Sequence, residues 1–423
     1  MRDARARAVF VLSAIVLAVL YGTEAGRSNW FPNPQISLAM TTVQDVSRYW
    51  QNDLGLKPTR HLVPARNPGR PKGDTGFRIL RPDEIEPGYV AIAGLSAEQK
   101  RSAFSVTLYD MAGKVLHVWP VNYRALDPTG PGGLNVMIHG MELFSDGSIA
   151  VAFDEGRVMA RLDACGRAMW ISKGAYSHSV VSDGQGHLVS WRNYKITWLD
   201  AATGKKIREL GLLKQIIPQG GDQLGIFSIL SHVYSESGKV QYLVDPFHPN
   251  SVKPLVPAMA AAFPEFKVGD LLISLREPDL VAVIDPVTGH VKWWQNGPWY
   301  KQHDPEFEAD GTITVYDNHP SSGVSRIVKV DPKTHGTTVL FQGSKQIPFY
   351  SWQRGKHQVL TNGNILITEP EHGRVFEVDA QGRLVWEREM VWDSNQNLIV
   401  TEARHLAPDF YTHGLPTCAM DGK

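Results

Sequence analysis

Five of the 15 histidines recur at one phase of a repeated pattern. They are His139, His178, His248, His303 and His357, and each heads a short apolar segment. A neutral imidazole is a good nucleophile and proton acceptor near pH 7, and a charged one stabilises oxyanions, so a convergent set suits acid-base and nucleophilic work on an anionic ester. Arg276 and Arg326 could supply fixed positive charge to the same anion. Imidazoles also ligate metals, but the companion carboxylates are few, Asp304 beside His303 and Asp245 before His248, and neither a metal nor any other cofactor is expected. Taken singly, each histidine reads equally as a strut that hydrogen-bonds a neighbouring repeat.

Those positions belong to a recurring element. After His139, His178, His303 and His357 come Asp146-Gly147, Asp183-Gly184, Asp310-Gly311 and Asn362-Gly363, hairpin turns rather than phosphate loops, each leading into an apolar exit strand. A second strand pair follows around a turn of the form Asp-x-x-Gly or Asp-x-x-x-Gly. The turn aspartates are Asp110, Asp163, Asp200, Asp285, Asp331 and Asp379, one for each of six repeats. Repeats of ~40–50 residues with about four strands apiece predict a β-propeller, in which the innermost strand of every blade lines the central channel. Equivalent histidines should therefore meet at one mouth. Trp119, Trp170, Trp198, Trp293 and Trp386 read as packing between blades.

The fold class expected is all-β, a six-bladed propeller preceded by an N-terminal helix and a spacer. Gly at 38, Pro at 27 and Trp at 12 fit many short strands joined by tight turns. Lys plus Arg equals Asp plus Glu at 43 each, without long runs of one sign, so no nucleic-acid partner is indicated and a small molecule or a protein is.

Arg2, Arg5 and Arg7 precede an apolar run from Ala8 to Gly22, the order of an export signal or signal anchor. Residues 1–27 are assigned to it, which places the body in the periplasm or otherwise outside the cytoplasm, with an inner-membrane tether through 8–22 as one outcome. The run is short against the roughly 20 residues of a spanning helix, and Thr23-Glu24-Ala25 could be cleaved. Residues 28–85 read as a spacer with a helix over Ile36–Trp50, 86–412 as the propeller and 413–423 as a tail. The long interval between Asp200 and Asp285 predicts an insertion, comprising Leu212–Leu230 and Val252–Val268 around Asp245-Pro-Phe-His248. In an oxidising compartment Cys165 and Cys418 could pair and pin the tail to the second repeat.

Three segments together resemble the bacterial arylsulfate sulfotransferases. They are Asp245-Pro-Phe-His-Pro-Asn-Ser with Leu271-Leu-Ile-Ser-Leu-Arg276; Gln302-His-Asp with Gly311-Thr-Ile-Thr-Val-Tyr-Asp-Asn318 and Ser325-Arg326; and His357-Gln-Val-Leu-Thr-Asn-Gly-Asn-Ile-Leu-Ile. The resemblance covers about residues 88 to 412. It implies transfer of a sulfuryl group from an aryl sulfate to a phenol, without a nucleotide donor, through a sulfated histidine. On motif position His357 is the expected nucleophile, His248 and His303 hold sulfuryl oxygens or shuttle the phenol proton, and Arg326 neutralises charge. His139, His178, Arg276 and Asn318 are expected to line the substrate site. The family's N-terminal β-sandwich has no counterpart in residues 28–85, which leaves the oligomeric state open. Two other readings remain: a metal-dependent propeller hydrolase of the lactonase kind, and a membrane-tethered propeller that binds without catalysis.

Overall fold

Six aspartate-centred turns join the third and fourth strands of six sheets. Asp110, Asp163, Asp200, Asp285, Asp331 and Asp379 each accept one or two backbone N–H groups of the turn they begin, as Asp379 does from Gln381 and Arg383. A carboxylate that satisfies the turn's own donors fixes the tight reversal between third and fourth strands. The computed structural model describes residues 2–28, 31, 36, 39, 43, 61–96, 104–130, 136–154, 156–218, 223–227, 232–234, 240–242, 245–320 and 322–418.

Two units divide the chain, residues 1–60 and 61–423. In the first, Arg2–Ser28 is helical. Among the described residues no helix is long and apolar enough to cross a membrane. The expected helix Ile36–Trp50 lies almost wholly outside them.

The second unit is a six-bladed β-propeller. Blade 1 consists of Val400–Leu406, Tyr89–Leu95, Phe104–Asp110 and Val115–Val121; blade 2 of Met137–Leu143, Ile149–Asp154, Val158–Leu162 and Ala168–Lys173. Blade 3 runs Tyr176–Ser182, His187–Arg192, Lys195–Asp200 and Lys206–Gly211, and blade 4 Pro249–Pro254, Leu271–Leu275, Leu280–Ile284 and Val291–Asn296. His303–Phe307, Ile313–Asp317, Arg326–Val330 and Thr337–Gln342 make blade 5; Lys356–Val359, Ile365–Glu369, Arg374–Val378 and Leu384–Glu389 make blade 6. All neighbours within a blade are antiparallel. The first-named strands touch one another in a closed circle around the axis. Blade 1 takes its inner strand from the C-terminal part of the chain and the other three from the N-terminal part, so the circle is closed by hydrogen bonds between distant segments.

Apolar side chains between adjacent sheets form the core. Trp119 and Trp170 are buried there, and their indole N–H groups donate to Gly147 O at 2.9 Å and Ala201 O at 3.0 Å in the next blade.

The expected spacer is not one over its second half. Leu62–Pro64 pairs with Gln396–Leu398, and Phe77–Ile79 adds a fifth strand to blade 6. Arginines make this attachment: Arg66 meets the fully buried Glu369, and Arg70 meets Glu389 at 3.0 Å. Polar composition had hidden an ordered segment whose charges are paired. The expected insertion is also smaller. Leu212–Ile216, Gln223–Ile226 and the strand pair His232–Tyr234 with Val240–Tyr242 lie between blades 3 and 4, and residues 219–222 and 228–230 fall outside the described set. Val252, however, sits in the inner strand of blade 4, and Pro257–Ala262 is a 3-10 turn inside that blade. Cys165 and Cys418 form a disulfide with Cα atoms 4.8 Å apart, tying the tail to a turn of blade 2.

Candidate active site

The inner strands are interrupted at three of the histidines, His139, His178 and His303, and just after a fourth, His248. Register slips between Ile138 and Met141 in blade 2, Ser177 and Val181 in blade 3, Pro249 and Ser251 in blade 4, and His303 and Glu306 in blade 5. A bulge lets the chain re-aim a side chain that regular alternation would send between the sheets. The backbone is held in the left-handed region at His178, φ 68°, at His248, φ 44°, and at Asp304, φ 46°. Such conformations cost about 1–3 kcal/mol for a residue other than glycine and persist where the surroundings impose them.

The consequence is a histidine cluster. His139 and His178 rings lie 4.1 Å apart, and His178 is 5.3 Å from His248 and 6.5 Å from His303. Blades 2 to 5 thus contribute one imidazole each.

His303 is the most closely positioned. Its Nδ1 lies 2.7 Å from Asn318 Oδ1. The Asn318 amide nitrogen donates to Ser351 O at 2.8 Å and Arg354 O at 2.7 Å, which orients the amide and leaves its oxygen as an acceptor. Nδ1 must therefore carry the proton, and Nε2 keeps its lone pair. Burial pushes the His303 imidazole well below its ordinary value, against the Asn318 bond and with help from the Arg276 charge. A neutral ring with a defined bare nitrogen results.

His248 has a different partner. Its Nδ1 is 2.5 Å from Asp245 Oδ2, while the Tyr194 hydroxyl donates to Asp245 Oδ1 at 2.6 Å. The His248 hydrogen bond holds the Asp245 carboxyl below the usual range. An imidazole backed by a carboxylate can take a proton at Nε2 and return it.

His139 and His178 are neutral as well. Burial pushes both well below the imidazole range, aided at His139 by Arg354 and Lys356 and at His178 by His139 and His248. His178 Nδ1 lies 2.9 Å from Ser177 Oγ; His139 Nδ1 faces Asp154 Oδ1 at 3.9 Å without a hydrogen bond. Arg276 joins the group from blade 4, its backbone N–H donating to His248 O at 3.1 Å and its guanidinium to Glu277.

Two expected residues are elsewhere. His357 belongs to blade 6, whose inner strand pairs in unbroken register from Lys356 to Val359. Without a bulge its ring turns between blades. Its side chain is 0% exposed and Nε2 lies 2.8 Å from Thr314 Oγ1 of blade 5. The backbone N–H of His357 donates to Asp304 Oδ2 at 2.9 Å. That contact braces blade 6 against blade 5, a placement that sequence phase alone could not distinguish. Arg326 is committed too: Nε donates to the buried Asp317 at 2.8 Å and Nη2 to Pro298 O at 3.1 Å. Asn318, expected on the substrate, instead orients His303.

Further along the inner strands the channel holds a charge network. Burial alone would raise the Asp304 carboxyl; Lys253 at 3.2 Å and Lys356 at 3.1 Å overcome it and hold the group well below the usual range. Arg404 bonds Glu402 at 2.8 Å and lies 3.6 Å from Glu142, whose carboxyl burial pushes up to about 7. A cavity of about 280 Å³ opens beside this network, lined by Lys253, Glu308, Lys356, His357 and Arg404 among others. Among the described residues no group of three or more His, Cys, Asp or Glu is disposed to hold a metal ion.

Sequence reasoning missed Arg354, Asp154 and Tyr194. None carries a repeat signal, since each reaches the mouth from a different point of its blade.

A propeller whose inner strands converge four imidazoles beside guanidinium groups defines a class of site able to act on anionic esters. The family model for arylsulfotransferase (ASST) matches residues 169–391, and the chain belongs to that family. No curated protein matches the chain. Solved structures similar to it include a protein of unknown function from Bacteroides caccae, at 10% identity and TM-score 0.44, covering 75% of this chain and 100% of that one. The β-propeller domain of Cps50 (Swd1) from Myceliophteria thermophila has 10% identity and TM-score 0.42, over 72% of this chain and 87% of that one. A catalytically inactive virginiamycin B lyase from Staphylococcus aureus, with quinupristin, has 10% identity and TM-score 0.40, over 73% of this chain and 87% of that one.

Proposed function

We propose that the protein transfers a sulfuryl group from an aryl sulfate to a phenol through a sulfated His303. One observation carries the choice of nucleophile: the Asn318 amide, pinned by two carbonyls, leaves His303 with a bare Nε2. Nε2 attacks sulfur as the S–O bond to the aryl oxygen breaks. His248, protonated and held by Asp245, gives its proton to the departing phenolate. A phenol then enters, His248 Nε2 takes its proton, the phenolate oxygen attacks sulfur and the N–S bond breaks. Proton and sulfuryl group each return to their starting balance, so no cofactor is needed. Sulfuryl transfer resembles phosphoryl transfer in spreading charge over equatorial oxygens, and positioned cations therefore provide much of the catalysis. Arg276, whose guanidinium also donates to Glu277, brings its charge to the cluster for that role, with His139 and His178 as neutral N–H donors.

The pairing of Cys165 with Cys418 supports an oxidising, extracytoplasmic location for the folded body. That agrees with reading residues 1–27 as an export signal or anchor.

Steady-state kinetics with 4-nitrophenyl sulfate and a phenol test the reaction. Parallel lines in double-reciprocal plots are expected, with turnover lost in His303→Ala. Intersecting lines, or full activity in His303→Ala, would overturn the proposal.

A further inference from the structure

Blade 6 contributes no imidazole to the mouth, and what it contributes is Arg354, in the loop leading to its inner strand. The Arg354 guanidinium lies between two carboxylates, Nη2 3.6 Å from Asp154 Oδ2 of blade 2 and Nη1 3.5 Å from Glu371 Oε1. Both separations are longer than the roughly 2.7–2.9 Å of a charge-assisted hydrogen bond. Neither is a hydrogen bond, and among the described residues no guanidinium N–H of Arg354 has an acceptor. Arg326, Arg276, Arg66 and Arg374 are by contrast all bonded to carboxylates.

Everything but the donors is fixed. Arg354 O accepts from Asn318 Nδ2 and from Ser351 Oγ, so one amide orients both His303 and the main chain of Arg354. The side chain is 22% exposed, half sunk yet open to a ligand. Asp154 stands between Arg354 and His139 and faces both. Burial pushes the Glu371 carboxyl up, which weakens its hold on the arginine.

Resting on the sulfuryl-transfer reading, we propose that Arg354 is a further catalytic residue, gripping two equatorial oxygens of the sulfuryl group with its N–H fork in place of these loose ion pairs. A planar guanidinium matches that geometry where an ammonium does not. Asp154 and Glu371 steer the group while no anion is present, and give it up when one arrives.

The test is donor-half-reaction kinetics of the full-length protein with 4-nitrophenyl sulfate, for wild type, Arg354→Lys and Arg354→Ala. Arg354→Ala is expected to lose on the order of 10²–10³ in kcat/KM, the scale of one oxyanion donor, with only part of the loss recovered in Arg354→Lys. Added guanidinium chloride should restore part of the Arg354→Ala activity, an effect a merely structural arginine would not show. Activity within twofold of wild type, or a loss that guanidinium leaves untouched, overturns the role. Should wild type release no phenol, the sulfuryl-transfer reading fails, and calorimetric binding of inorganic sulfate decides for Arg354. At least tenfold weaker binding in Arg354→Ala sustains an anion grip there, and equal or absent binding in both proteins overturns it.

Discussion

His303 and His357 carry the same side chain at the same phase of their repeats, yet their hydrogen bonds assign them different work. His303 is oriented by an amide whose own N–H groups are spent, while His357 is wedged against Thr314 with no exposed side-chain surface. Replacing Asn318 by Ala removes the acceptor that fixes the His303 tautomer. The expected result is a fall in kcat of about 10- to 100-fold, in the range of a misplaced group, with KM for the donor little changed; stopped-flow release of 4-nitrophenol measures both. Because burial depresses the His303 imidazole below its ordinary 6.5, its nitrogen stays bare as pH falls through 6.5. Nucleophilic attack by the wild type should therefore persist below that pH. An acid limb of kcat/KM that follows the titration of an ordinary imidazole would contradict the burial argument.

At the scale of elements, what separates those histidines is the bulge. Sequence spacing made the repeats legible because each turn is written in local residue types, an Asp with a Gly a fixed distance on, and that chemistry is satisfied within the turn itself. A bulge in the inner strand has no such local code. It depends on how the next blade packs, so blade 6 could keep the motif around His357 while its strand stayed in register. The Asp245–His248 pair was legible for the opposite reason, its two residues being three apart in one turn. Arg354 was not, since its importance rests on Asp154 and Glu371 reaching it from other segments. The loop carrying Arg354 crosses the Tyr316 ring at Gly355, where φ is 155° and an added Cβ would lie 2.1 Å from the ring. Gly355→Ala should consequently displace the loop and destabilise the protein by about 1–3 kcal/mol, the usual scale for overpacking. Urea titration checks it, and an unchanged midpoint would mean that the loop has room the structure does not provide.

For the whole molecule the critical step is closure. A propeller sheet circle has two ends to join, and here one blade is made from both, with strand Val400–Leu406 beside Tyr89–Leu95. The disulfide between Cys165 and Cys418 spans 253 residues and fastens the segment just beyond that closing strand. Cross-links closing long loops restrict the unfolded chain most, and removal of one typically costs about 2–4 kcal/mol. Cys165→Ser should therefore lower the thermal midpoint while the histidine cluster keeps its activity at lower temperature. Equal midpoints with and without the bond, by calorimetry, would place closure wholly in the strand pairing.

Intact-mass analysis reads out whether His303 takes the sulfuryl group. Purified protein is mixed with 4-nitrophenyl sulfate in the absence of any phenol acceptor, then quenched, digested and mapped by tandem mass spectrometry. A gain of one sulfuryl group is expected on the peptide containing His303, present in His357→Ala and absent in His303→Ala. An adduct that survives His303→Ala and vanishes in His357→Ala would contradict it, for the blade 6 imidazole would then be the one that reacts.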